Sequence, residues 1–222
     1  VANDPERIEH LEGVIAQFLR PVRGIPFNII VRALSGRQLL RFERRQPDDA
    51  ALLTSLKRAI KVCARDLRDR PIRRPRPNEV GNDVESYVLA ALNAGGLQAE
   101  RPRSAGGKSK AAGYPDLLIL DGANRPSYLE CKIFGYGKPD STFRSFYLSP
   151  SDTFKVSRDA RHLLLAFGME AKAIEGSRDS IYMPRSFKLI DLHDLLCDVK
   201  YEFNSDNRRL YSPAMVIAQG EI

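Results

Sequence analysis

Two short stretches decide the reading of this chain. The first is Tyr114-Pro115-Asp116-Leu117-Leu118-Ile119-Leu120, and the second is Tyr128-Leu129-Glu130-Cys131-Lys132-Ile133. Both runs are rich in strand-forming residues and apolar on both faces, the pattern of inner strands of a sheet. Asp121-Gly122-Ala123-Asn124 lies between them and signals a turn, so the runs pair side by side. Alternation along a strand puts Glu130 and Lys132 on one face and Cys131 on the other. Asp116 then comes within reach of Glu130. Carboxylates on such strands need compensation, and a divalent cation supplies it. The expected site is a Mg²⁺ centre that hydrolyses phosphodiesters, with Lys132 stabilising charge on the phosphorane or orienting the attacking water. Taken singly, Pro-Asp also marks turns and Glu-x-Lys decorates exposed strands. The apolar surroundings of both dipeptides argue against those alternatives.

Outward from this pair the order reads helix, strand, strand, strand. Glu79 to about Asn93 is predicted helical and is ended by Gly95-Gly96, and Leu97–Arg101 is a short strand. Glu85 borders the apolar face formed by Val88, Leu89 and Leu92 and can point over the sheet edge towards the cation. Asn82-x-x-Glu85 also fits a capping box, which leaves a second role open. Residues 104–113 form a Gly-, Lys- and Ser-rich loop. A P-loop reading fails there because Pro102 occupies the position of the first glycine and a strand follows. Lys108 and Lys110 are instead expected near phosphate.

Beyond Glu-x-Lys, a polar stretch to about Thr153 carries Tyr136, Phe143, Phe146 and Tyr147. A short helix over Val156–Ala160, a buried strand over His162–Met169 and another strand over Phe187–Leu192 are predicted. Asp191-x-His193-Asp194 lacks further ligands at zinc spacing and reads as ordinary capping. Upstream, Pro5–Arg20 reads as a helix, Phe27–Ala33 and Gln38–Phe42 as two strands, and Pro47–Arg68 as a second helix.

Arg70-Pro71-Ile72-Arg73-Arg74-Pro75-Arg76-Pro77 reads as a stiff basic connector, since its prolines exclude helix. It divides the chain into an N-terminal segment, residues 1–70, a connector, residues 71–78, and a catalytic core, residues 79–222. The chain has 222 residues, 43% of them hydrophobic, with a formal charge of +7 and a pI of about 9.4. That balance favours a polyanionic partner. Nine basic residues and two acids lie between Lys57 and Arg76. Arg73, Arg74 and Arg76 are therefore expected on phosphates. The three cysteines, Cys63, Cys131 and Cys197, form no CxxC pair and read as reduced apolar residues. No signal-peptide pattern opens the chain and no apolar run reaches membrane-spanning length, so a soluble cytoplasmic protein is expected.

An acid-bearing helix followed by three strands carrying PD and E-x-K resembles the PD-(D/E)XK nuclease superfamily, on Glu85, Pro115-Asp116 and Glu130-Cys131-Lys132. The chain looks most like a type II restriction endonuclease of a bacterium or archaeon. The resemblance covers about Glu79 to Leu192. It implies an α/β core with a mixed β-sheet flanked by helices, carrying here an N-terminal helical and hairpin extension. It implies metal ligation by Asp116 and Glu130 and Lys132 as the catalytic lysine, and the helical spacing of Glu85 makes it the third candidate ligand. It also implies dependence on Mg²⁺, for which Mn²⁺ can substitute, and cleavage of double-stranded DNA to leave 5′-phosphates. A homodimer follows from two-fold matching to a palindromic site, and a cognate DNA methyltransferase is a functional rather than a physical partner. Sequence readout is assigned to the polar segment, to Lys138, Asp140, Thr142, Arg144 and Ser145. A damage- or structure-selective nuclease, or a non-catalytic DNA-binding protein, are the competing readings.

Overall fold

The computed structural model describes residues 4–18, 20, 22–103, 113–137, 146–150, 154–200 and 208. In chain order the elements are α1 (Pro5–Phe18), β1 (Ile25–Pro26), α2 (Phe27–Ser35), β2 (Leu39–Leu40), α3 (Pro47–Asp69), β3 (Ile72–Arg74) and α4 (Pro77–Ala94), followed by β4 (Gln98–Glu100), β5 (Leu117–Leu120), β6 (Pro126–Gly135), β7 (Ala160–Ala173), β8 (Ser180–Asp191) and β9 (Leu196–Cys197). Packing divides the chain into two compact units. One comprises Val1–Ile25 with Leu196–Ile222, and the other is Pro26–Leu195. In the smaller unit, α1 buries none of its residues, and the backbone N–H of Val199 donates to the Val22 carbonyl at 2.9 Å.

The larger unit is built on a sheet of order β3-β8-β7-β6-β5-β4, which β2 extends by pairing with the start of β7. β6 runs parallel to β7, and β2 is also parallel to β7; β3–β8, β8–β7, β6–β5 and β5–β4 are antiparallel. This is the mixed α/β sheet flanked by helices that the resemblance implies.

One face of the sheet carries the core. Leu52, Leu56, Ile60, Cys63 and Leu67 recur along one side of α3, and Val80, Val84, Val88 and Leu92 along one side of α4. Both stripes pack on Leu129, Cys131, Leu163, Leu165 and Phe167 of β6 and β7. Each fully buried aliphatic or phenyl side chain there contributes about 1.5–3 kcal/mol of transfer free energy. Alternation turns Tyr128, Glu130 and Lys132 to the opposite face. At one end of that face α2 closes over the sheet. The Phe27 ring meets Tyr114 edge-on at 5.5 Å and His162 at 6.1 Å. The Tyr114 hydroxyl bonds His162 Nδ1 at 2.6 Å. Burial pushes the His162 imidazole down to about 3, so it stays neutral.

Two local expectations are corrected. Phe27–Ala33 is helix, not strand: Phe27 and Val31 lie one turn apart and both bury, and Gly36, at φ 69°, closes the helix by donating its N–H to the Arg32 carbonyl. The basic connector is extended and takes part in the sheet. Ile72–Arg74 pairs with β8 as an edge strand, the position in which flanking prolines are tolerated. Residues 156–159 are irregular rather than helical, and β7 begins at Ala160.

Candidate active site

β5 and β6 pair antiparallel with Leu117 opposite Leu129, so Asp116 is carried to the flank of Glu130. The Tyr114–Pro115 peptide just before it is cis. Asp116 is fixed by its own neighbour strand, because the backbone N–H of Cys131 donates to Asp116 Oδ2 at 2.8 Å. One carboxylate oxygen is thereby committed and the orientation of the other is set.

Glu130 is almost fully buried. Its Oε1 is held by the Lys132 ammonium, and its Oε2 is buried and, among the described residues, has no hydrogen-bond partner. An orphaned carboxylate oxygen of this kind is costly unless a cation or donor reaches it. Burial first, then the charge of Asp116, pushes the Glu130 carboxyl up to about 7, against the opposing pull of Lys132. Burial works to lower Lys132, but contact with Glu130 and the charge of Asp116 outweigh it, and its pKa rises. Lys132 therefore remains an ammonium at neutral pH.

Glu85 sits well inside α4, which begins at Pro77, so the capping-box alternative for Asn82 and Glu85 is excluded. Glu85 is half-buried. Burial and the charge of Asp116 raise its pKa, while Arg101, 4.0 Å away, opposes them. Glu85, Asp116, Glu130 and Lys132 are thus electrostatic neighbours.

A residue missed in the sequence joins them. Lys155 is buried, and its ammonium donates to the carbonyls of Gly113 at 2.7 Å and Pro115 at 3.2 Å. Those carbonyls belong to the two residues that flank Tyr114, immediately before Asp116. Burial lowers the Lys155 pKa, while Asp116, Glu130 and Glu85 hold it up. The available signal was a lysine inside the apolar run Phe154-Lys155-Val156, a residue type rarely buried without partners.

Among the described residues, no three His, Cys, Asp or Glu side chains close into a ready-made metal cage. The donor set nevertheless fits a hard divalent cation. Mg²⁺ takes one or two carboxylates and keeps water and phosphate oxygens in its remaining positions, and Glu130 Oε2 is a carboxylate oxygen without a partner among the described residues.

The other predicted contacts fall differently. Arg74 is held by Asp83 through two bonds, at 2.7 and 2.9 Å. Arg73 is exposed on β3, and Arg76 is exposed at the entry to α4. Lys108, Lys110, Lys138, Asp140, Thr142, Arg144 and Ser145 lie outside the described residues. Among the described residues no helix is long and apolar enough to cross a membrane.

The model of the MjaV type II restriction enzyme family matches residues 21–214 of the chain. The type II restriction enzyme MjaV of Methanocaldococcus jannaschii is 32% identical over 235 aligned residues, covering 99% of this chain and 99% of that protein. No solved structure matches the chain. The match therefore spans the hairpin that carries Asp116, Glu130 and Lys132 as well as the elements around it, and the chain belongs to the MjaV family of type II restriction enzymes, a family of site-specific deoxyribonucleases.

Proposed function

We propose that the protein is a Mg²⁺-dependent endonuclease that hydrolyses double-stranded DNA at a short specific site and leaves 5′-phosphates. The observation that carries this reading is the juxtaposition of the acids with Lys132, in which Glu130 presents a buried oxygen with no partner among the described residues. Asp116 and Glu130, with Glu85 behind them, would hold the cation. When bound, Mg²⁺ polarises the scissile phosphate and acidifies a bound water.

The chain's own groups do the rest. The Cys131 N–H keeps Asp116 aimed. Lys132 holds Glu130 in place and carries the positive charge that offsets charge developing on the phosphorane. Lys155 fixes the backbone that delivers Asp116. Recognition by Lys138, Thr142 and Arg144, phosphate contacts from Arg73, Arg74, Arg76, Lys108 and Lys110, a cytoplasmic homodimer and a paired methyltransferase belong to the same proposal. So does the division of labour in which residues 79–222 carry the chemistry and residues 1–70 serve DNA binding or dimerisation.

Digestion of plasmid DNA tests it. Discrete bands are expected with Mg²⁺, and religation of the products without a kinase reports 5′-phosphates. Excess chelator should lower the rate by at least about 10³-fold, the scale of a lost metal-generated nucleophile and its charge stabilisation. Undiminished cleavage in chelator sinks the carboxylate–metal mechanism.

Lys155→Met should lower the cleavage rate by about 10²-fold, because a displacement of about 1 Å at a catalytic group has that effect. Lys155→Arg should recover part of it. Because Lys155 acts through the Asp116 backbone, half-saturation by Mg²⁺ should shift upward in the Met variant. An unchanged metal dependence would assign Lys155 to stability alone.

A further inference from the structure

The face of the sheet that carries Glu130 continues past the acids onto β7 and β8. The strand register sets Lys132 beside Ala166, and Ala166 beside Lys188. Two lysines therefore stand on one face in one row, roughly 10 Å apart at their Cα atoms, two interstrand spacings. Between them Ala166, buried at 7% exposure, contributes only a methyl group to the row.

The next row explains how Lys188 is held. It reads Phe134, Gly168, Ser186 in the same order. A Cβ on Gly168 would come within 2.3 Å of Ser186 Oγ and 2.9 Å of the Phe134 ring. The phenyl ring is therefore laid against the glycine, where any side chain would displace it. Lys188 sits over that ring, its ammonium 5.4 Å from the centroid. This is a cation–π contact, which supports the ammonium without neutralising it.

Three exposed arginines of this unit are paired: Arg185 with Glu170, Arg74 with Asp83 and Arg41 with Asp194. Among the described residues no carboxylate pairs with Lys188, which is exposed on β8. An unneutralised cation, steadied by a ring and separated from the catalytic lysine by a low floor, matches the needs of a polyanionic chain crossing the sheet.

We infer that Lys132, Ala166 and Lys188 form a trough that takes the phosphodiester backbone of the cleaved strand next to the scissile bond, with Lys188 binding a neighbouring phosphate. The proposal rests on the nuclease reading. It adds the direction of the strand, from the acids across β6, β7 and β8. The contact reads no base, so it supplies affinity and position rather than sequence choice.

The test compares wild-type protein with Lys188→Ala, Lys188→Arg and Ala166→Leu. Binding to a set of unrelated duplexes is measured in chelator over a range of salt, and cleavage kinetics are measured with Mg²⁺. Lys188→Ala should weaken binding to every duplex by about tenfold, the loss of one charge-assisted contact. Its slope of log affinity against log salt should fall by about 0.9, one phosphate's worth. The kinetic loss should fall on KM more than on kcat, and Lys188→Arg should retain most affinity. Ala166→Leu raises the floor without touching charge, and it should weaken binding while leaving the salt slope in place.

An unchanged affinity and slope in Lys188→Ala overturns the trough. So does normal binding by Ala166→Leu, which would leave Lys188 a general surface charge. If wild-type protein bound DNA but failed to cut it with Mg²⁺, the metal-hydrolysis reading would fall while the binding data still judged the trough.

Discussion

Lys132→Ala is expected to lower DNA cleavage by at least about 10²–10³-fold, the scale on which removal of one charge-stabilising donor acts. Two effects combine. The variant loses the ammonium that the proposed mechanism sets against the phosphorane, and it also loses the cation that holds Glu130 Oε1. Burial and Asp116 already push the Glu130 carboxyl up to about 7, and Lys132 is the opposing influence. Without it the carboxyl rises further and is protonated at neutral pH. A protonated acid is a poor metal ligand, because ligation needs the carboxylate. The residual activity of Lys132→Ala should therefore increase as pH is raised through 7 to 9, more steeply than that of the wild type. Asp116→Asn should be similarly inactive, since it removes the other ligand charge while keeping the shape that accepts the Cys131 N–H. Circular dichroism should stay near wild type for both variants, and binding in chelator should stay near wild type for Asp116→Asn. Near-normal turnover by Lys132→Ala at saturating Mg²⁺ would reassign the lysine to a structural ion pair.

The juxtaposition of Asp116, Glu130 and Lys132 was legible because its geometry is set by the simplest rule in the chain. Period-two alternation puts Glu130 and Lys132 on one face, and a tight turn returns the strand beside Asp116. The helix bearing Glu85 was legible from its apolar spacing. Its start at Pro77 was not, because the preceding basic, proline-rich stretch looks like linker until β8 is there to pair with it. The helix α2 was missed for a related reason. Ile29-Ile30-Val31 has strand propensity, and only the burial of Phe27 and Val31 against other elements makes it helical. For Lys155 only the charge inside an apolar run was legible, not what it holds. Its partners are two backbone carbonyls some 40 residues away, and backbone acceptors leave no mark in a sequence. Lys188 was hidden because its significance lies in the register that aligns it with Lys132 across Ala166.

Asp49 offers the largest expected effect on stability. It lies in the first turn of α3 and has no exposed surface. The Arg161 guanidinium reaches its carboxylate at 2.6 and 3.0 Å, Arg125 at 3.2 Å, and the Glu43 N–H at 2.8 Å. Arg125 belongs to the turn of the β5–β6 hairpin and also bonds Asp121, while Arg161 belongs to β7. One carboxylate therefore ties the start of α3 to the hairpin that bears Asp116 and Glu130. Asp49→Ala would leave Arg161, only 13% exposed, without its partner. Breaking a buried pair from one side costs about 3–5 kcal/mol. Arg125 keeps Asp121 and some solvent, so about 3 kcal/mol is the expected loss. For a protein of this length that corresponds to a fall in Tm of roughly 6–12 °C. The effect should persist in high salt, because buried pairs are screened far less than exposed ones. Asp49→Ala with Arg161→Leu should be more stable than Asp49→Ala alone, since the second change removes the stranded charge. Urea unfolding measures all three. A loss below about 1 kcal/mol, or a double variant no better than the single, would show that water relieves the stranded arginine and that the hairpin is anchored by the α3 and α4 core instead.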